Sequence, residues 1–222
     1  MHRRQFTTLV LASAFFGPLA HAADTSATEG LVKVKSKRLK AVYLKPGADF
    51  RVYHKVMLDP TQVAFKKNWQ RDYNSSTRAF RVTDADVQRA IDEGMVESSK
   101  VFAKAFTDGG WPVVTAPGHD VLKVRTGLVN IRPSAPDIQT AGRSRVYANE
   151  AGEATLIIDV WDSSTGTLLG RAFDARLAGD NTIMMMRNSV TNRADFRRLV
   201  EDWAKISVRG LNELKASSPV KA

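Results

Sequence analysis

Between Thr83 and Gly110 the apolar residues Val87, Ile91, Met95, Phe102 and Phe106, with Ser98 in the same stripe, recur mainly at every fourth position. That spacing marks one buried face of an α-helix. Thr83 offers a hydroxyl N-cap, Asp84 and Asp86 complement the helix dipole in the first turn, and Gly109-Gly110 stops the run. The pattern predicts a helix of about 24 residues, roughly 36 Å long. A second stripe of Phe196, Leu199, Val200, Trp203, Ile206, Leu211 and Leu214 predicts a last helix from Asn192 to about Lys215.

The rest of the chain reads with period two. "AVYL" (41–44) and "RVYHKVML" (51–58) are rich in β-branched and aromatic residues and flank the turn Lys45-Pro46-Gly47-Ala48-Asp49. "TQVAFKKNW" (61–69) extends the sheet, and the polar "QRDYNSSTR" (70–78) reads as a loop. "WPVVTAP" (111–117) is a short strand, and "DVLKVRTGLVNIRP" (120–133) is a longer one whose Gly127 marks a bulge or a close approach. Residues 133–150 hold two prolines and no sustained period, and read as a surface loop.

"GEATLIIDVWDSSTGTLLGRAFDARLAG" (152–179) is two strands around a turn. Aligned across that turn, Leu156, Ile158 and Val160 share the core face with Leu168, Gly170 and Ala172, while Ile157, Asp159 and Trp161 face outward with Leu169, Arg171 and Phe173. Asp159 then lies one diagonal from Arg171, as a cross-strand ion pair. Asp162 bonds its own turn, and Gly166 supplies positive φ. These acidic and hydroxyl residues bend and pin the backbone, so Asp159, Asp162 and Asp174 are not expected to converge on one cavity. Strands, helix, strands, helix, with no internal repeat, predict an α+β fold: a two-layer sandwich of two main helices on a largely antiparallel mixed sheet.

The start of the chain changes the setting. Arg3 and Arg4 precede an apolar run from Phe6 to Ala20 that Gly17-Pro18 interrupts, followed by Ala20-His21-Ala22. This is the pattern of a cleaved export signal, and the run is shorter than the about 18 residues of a membrane span. The expected layout is a signal over 1–22, a flexible basic segment over 23–39, one domain over 40–215 and a disordered tail over 216–222, with the product in the periplasm. The chain has no cysteine, which removes disulfides, thiol chemistry and a lipid-bearing cysteine after the signal.

Charge adds a partner. The 33 Lys and Arg outnumber the 23 Asp and Glu by 10, and loss of Arg3 and Arg4 leaves an excess of 8. Much of it sits in "KVKSKRLK" (33–40). Val32 and Val34 alternate with Lys33 and Lys35 there, so the run also reads as an edge strand that lysines protect from pairing. For an exported chain, such cations suit an envelope protein, an anionic glycolipid or a membrane surface, and not nucleic acid. Lys33, Lys35, Lys37, Arg38, Lys40, Arg143 and Arg145 are the candidate binding residues.

Catalytic grammar is sparse. His119 stands beside Asp120 in "APGHDV" and could serve a hydrolase as an oriented base, without a G-x-S-x-G nucleophile. Met184-Met185-Met186 could suggest soft metal ligation, but three consecutive side chains diverge, so core filling is the better reading. No phosphate loop, dinucleotide fingerprint, H-E-x-x-H or calcium loop occurs; no cofactor or metal is expected. A small-ligand carrier with a pocket lined by Trp111, Trp161 or Trp203 is a further alternative.

"VYLKPGADFRVYHKVMLDPTQVAF", "GWPVVTAPGHDVLKVRTGLVNIRP", "DVWDSSTGTLLGRAFDAR" and "FRRLVEDWAKISVRGL" follow one another in an order that resembles an uncharacterised bacterial envelope family, domain of unknown function thirty-three thirteen. The resemblance spans most of residues 40–215 and implies an exported α+β domain. It brings no activity or catalytic residue with it. Members are often lipoproteins, whereas Ala22-Ala23 occupies the cleavage region here. Together these features lead to the expectation of a non-enzymatic envelope domain that binds a protein or anionic partner.

Overall fold

A computed structural model of the chain describes residue 28 and residues 30–76, 81–134, 146–148, 151–179, 185–187 and 189–221. The expected signal over 1–22, Arg143, Arg145 and Met184 lie outside the described residues. The chain order is β1 (Val32–Val34), β2 (Ala41–Leu44), β3 (Lys55–Leu58), β4 (Gln62–Phe65), α1 (Trp69–Ser76), α2 (Asp84–Asp108), β5 (Val121–Pro133), β6 (Val146–Ala148), β7 (Gly152–Asp162), β8 (Leu168–Ala178), β9 (Met185–Arg187) and α3 (Ser189–Ser217).

Seven strands form one open mixed sheet in the order β1-β2-β8-β7-β5-β3, with β4 also on β5. β3 and β4 pair in parallel with successive stretches of β5, and the other neighbours are antiparallel. β6 and β9 pair with each other away from this sheet. The long helices α2 and α3 cover one face, where Phe102, Phe106, Trp203, Ala204 and Val208 meet Leu122, Val124, Leu156 and Ile158 in the main core. The α+β sandwich expected from the hydrophobic pattern is the architecture found.

α2 begins as its sequence dictates. The Thr83 side chain accepts from the Asp86 amide, and the Asp86 carboxylate accepts from the Thr83 amide, a reciprocal capping box. α1 replaces the loop expected over 70–78 as far as Ser76, and residues 77 and 78 lie outside the described residues. Its sequence is polar apart from Trp69 and Tyr73, four residues apart, so no stripe announces it. Tertiary stacking holds it instead, with Trp69 4.9 Å from the Phe65 ring and 6.0 Å from the Tyr73 ring. The strand expected at 111–117 is a single bridge between Val113 and Val56.

Two further stretches have backbone partners. Within the basic segment expected over 23–39, Val32, Lys33 and Val34 pair with Leu44, Tyr43 and Val42 as an edge strand. The stretch expected as a disordered tail is tied down over residues 218–221: Gly47 donates its N–H to Val220 O at 2.9 Å, and Val220 donates to Ala48 O at 2.8 Å. Val220 also packs against the core, so this end of the chain has apolar burial and backbone partners to hold it.

The β7–β8 hairpin forms with one slip. Asp159 stands directly opposite Arg171, not diagonal to it, and the register shifts between Val160 and Trp161, which pair with Gly170 and Leu168. Leu169 is the extra residue of that bulge. It is consequently the leucine that joins the core, while Leu168 pairs with Trp161, the reverse of the sequence expectation.

Candidate functional site

The basic run lies at the sheet's open edge as β1 and as the strap, residues 35–40, that returns the chain to β2. Four contacts hold the strap's backbone. Ser36 Oγ accepts from the amides of Arg38 and Leu39, Lys40 donates its amide to Asp174 Oδ1 at 3.1 Å, and Arg38 O accepts from the Arg176 guanidinium at 3.0 Å. Asp174, in β8, is the hub. Its other oxygen accepts from Trp203 Nε1 at 2.8 Å and from Arg176 Nε at 2.6 Å, and the residue is only 6% exposed. One buried carboxylate thus joins the sheet, α3 and the strap.

The strap's cations project outward. Lys33, Lys35, Lys37 and Lys40 are exposed, and none forms an ion pair among the described residues. Arg38 differs: it reaches across to Glu213 on α3 at 2.7 Å. Both partners are well exposed, so this clasp contributes about 0–1 kcal/mol at most.

Under the strap the sheet and α3 separate around a cleft of about 490 Å³. That volume falls within the roughly 300–1,000 Å³ typical of small-ligand sites. Val42, Val124, Ile158 and Val160 form its floor, Ile206 and Leu214 its helical wall, and Lys35, Lys37 and Arg38 its rim. Gly210 also lines it, and a Cβ built there would meet nothing within 4 Å. Gly170, on the sheet side, is the opposite case, because a Cβ there would lie 2.8 Å from Leu44 Cδ2. Gly210→Ala should therefore raise stability by about 0.5–1 kcal/mol, the helix-interior preference for alanine with no clash to offset it. A urea titration checks this, and a loss of stability would show that the space is not open.

The other candidate groups are committed elsewhere. Asp120 forms an ion pair with Lys55 at 2.9 Å, and that ammonium holds its carboxyl below the usual carboxylate range. His119 is exposed beside it, with no hydrogen bond between the two. Ser163, the hydroxyl that contacts this loop, is bound to the Gly118 backbone through both N–H and C=O. His54 is exposed at the entrance to β3, with Nδ1 3.0 Å from Lys215 Nζ.

The three hairpin aspartates do not meet. Asp159 takes a two-pronged contact from Arg171, at 2.5 and 2.7 Å, on the face away from the helices, and raises the pKa of that guanidinium. Asp174 lies on the helix face. Asp162 accepts from the Ser164 and Thr165 amides and from Tyr53 OH at 2.7 Å. Burial raises the Asp162 pKa, but the Thr165 amide, the Tyr53 hydroxyl and the Ser164 amide outweigh it and hold it below its ordinary value. The Tyr53 hydroxyl moves the other way, pushed well up by burial and then by the Asp162 carboxylate. Among the described residues no three His, Asp or Glu side chains gather closely enough to hold a metal ion.

A pocket exists between sheet and helices, but none of the three tryptophans expected to line it does so. Trp203 is bound to Asp174. Trp111 donates to Asn212 Oδ1 at 2.7 Å and carries Lys215 over its ring at 5.0 Å. Trp161 faces the other side of the sheet, with Arg125 5.8 Å from its ring centre. It is the lining of the cleft that the sequence reading misses, although Ile206, Gly210 and Leu214 recur at four-residue intervals. A glycine in the middle of an apolar stripe was the available signal.

The model of a family described as "Protein of unknown function (DUF3313)" matches residues 24–206. The chain belongs to this family. The match covers both the strap and most of the cleft, and agrees with the family resemblance read from the ordered segments. No curated protein sequence matches the chain. Among solved structures it is similar to the PelC dodecamer from Paraburkholderia phytofirmans, at 11% identity over 72% of this chain and 95% of that one, TM-score 0.34. A minor lipoprotein from Acinetobacter baumannii is similar at 14% identity over 77% and 99%, TM-score 0.35. A DUF330 protein from Xanthomonas campestris is similar at 14% identity over 78% and 91%, TM-score 0.39. Among the described residues, no helix is long and apolar enough to cross a membrane.

Proposed function

We propose that the chain is an exported, non-enzymatic domain of the cell envelope that binds an anionic envelope partner through its basic strap. The observation that carries this reading is the pairing of a held backbone with unpaired charge. Asp174 and Ser36 fix the strap, while Lys33, Lys35, Lys37 and Lys40 stay exposed without acidic partners among the described residues. Cations held in place lose less freedom on binding than cations on a floppy tail, so more of their attraction appears as affinity. The non-enzymatic part is supported by the engagement of Asp120, Asp159, Asp162 and Asp174 in contacts that hold the fold. Export is supported by the basic start, apolar run and small-residue end of residues 1–22.

Vesicle binding tests it. The protein should bind phosphatidylglycerol vesicles and not phosphatidylcholine vesicles, and the bound fraction should fall as salt rises past ~0.15 M. Changing Lys33, Lys35, Lys37 and Lys40 together to Gln should weaken binding by roughly a hundredfold or more at low salt. Binding that ignores salt and survives the four substitutions would end this reading. Salt-sensitive capture of an acidic envelope protein, with no vesicle binding, would move the partner from a lipid surface to a protein.

A further inference from the structure

We infer that the cleft beneath the strap takes the hydrocarbon tail of a single-chain anionic amphiphile, with Lys35 and Lys37 at its rim meeting the head group. This rests on the reading of the strap as an anion-binding segment, and adds to it a specific site and ligand class.

The cleft has an apolar interior and a charged mouth. Val42 on β2, Val160 on β7 and Leu214 on α3 face it, yet each is left partly exposed. Protein interiors ordinarily close to the density of organic solids, so a sheet and a helix that could pack there but stand apart leave room for an apolar guest. Gly210 widens that room on the helical side, where any other residue of the Ile206–Leu214 stripe would fill it. A tail inside removes both its own surface and that of the lining from water, and the gain grows with each methylene buried.

The mouth selects the head. Lys35, Lys37 and Arg38 line the rim, and Glu213, the one acid among the described lining residues, is already joined to Arg38. An uncharged head would leave Lys35 and Lys37 as they are, whereas a carboxylate or phosphate gains two charge-assisted contacts. The Arg38–Glu213 clasp crosses from strap to helix above the cleft, and it is exposed and weak enough to open for entry. The backbone hold at Lys40 keeps the strap in register while the clasp opens.

The test uses cis-parinaric acid, whose fluorescence rises in an apolar site, and its uncharged methyl ester. Full-length protein should bind the acid saturably at one per chain and the ester at least tenfold more weakly. Gly210→Phe, which fills the cleft and leaves the cations, should lower affinity for the acid at least tenfold and leave salt-dependent binding to phosphatidylglycerol vesicles unchanged. Gly210→Leu serves as a second filling variant should the larger ring impair folding, judged by circular dichroism. Lys35→Gln with Lys37→Gln should bring the acid down to the ester's affinity. No saturable binding of the acid, or equal binding by the two filled variants and the parent protein, would overturn the inference while vesicle binding persists. Absence of vesicle binding in the parent protein, with the acid still bound in the cleft, would instead remove the membrane-surface reading.

Discussion

Replacing Asp174 with alanine is expected to remove about 2–4 kcal/mol of folding stability, the cost of taking a buried acceptor from the groups that donate to it. Three donors lose their acceptor together. Trp203 Nε1 belongs to a side chain that is 0% exposed, so water cannot replace the carboxylate there. The Arg176 guanidinium loses its 2.6 Å partner, and the Lys40 amide loses its hold on the strap. Urea unfolding should show a lower midpoint at unchanged slope, since the surface exposed on unfolding is the same. Asp174→Asn should fall between, because an amide still offers one oxygen but turns its NH2 toward one of the donors. Trp203→Phe removes the buried N–H, so combining it with Asp174→Ala should cost less than the sum of the two changes. A loss below about 1 kcal/mol in Asp174→Ala would mean that water satisfies these groups and that no hub exists.

The same residue explains what the sequence could and could not reveal. α2 was legible because capping, stripe and glycine stop all lie within 28 consecutive residues, from Thr83 to Gly110, and need no partner elsewhere. The β7–β8 hairpin was legible for the same reason, down to its turn, except where a single bulged residue exchanged Leu168 and Leu169. The strap was half legible. Its charges stand in a row at 33–40, but its anchor comes from a residue 134 positions away, and nothing local marks Asp174 as different from Asp159 or Asp162. The parallel pairing of β3 and β4 with β5 is likewise a long-range choice that alternation cannot encode. The cleft is an absence of packing between a sheet and a helix that each read as ordinary, so a pocket could be expected but only the position of Gly210 hinted at its place.

Asp159 and Arg171 provide the sharper separation of structure from chemistry. Asp159→Ala should cost about 3–5 kcal/mol, because it takes the two-pronged carboxylate away from a guanidinium whose side chain is only 14% exposed. Arg125, opposite Asp159 on β5, adds a second positive charge nearby, and its own acidic partner is Asp59 at 3.4 Å. Replacing both members, Asp159→Leu with Arg171→Met, removes the desolvation cost along with the attraction, and buried pairs exchanged in this way come out neutral or more stable by about 1–4 kcal/mol. The double variant should therefore unfold within about 1 kcal/mol of the parent protein or above it, although each single change is severe. If the pair serves only to hold two strands in register, the double variant should also keep full vesicle binding, because the strap and its lysines are untouched. A double variant that is as stable as the parent but has lost binding would place Asp159 or Arg171 in a functional role, and would reopen the outer face of the sheet as a site.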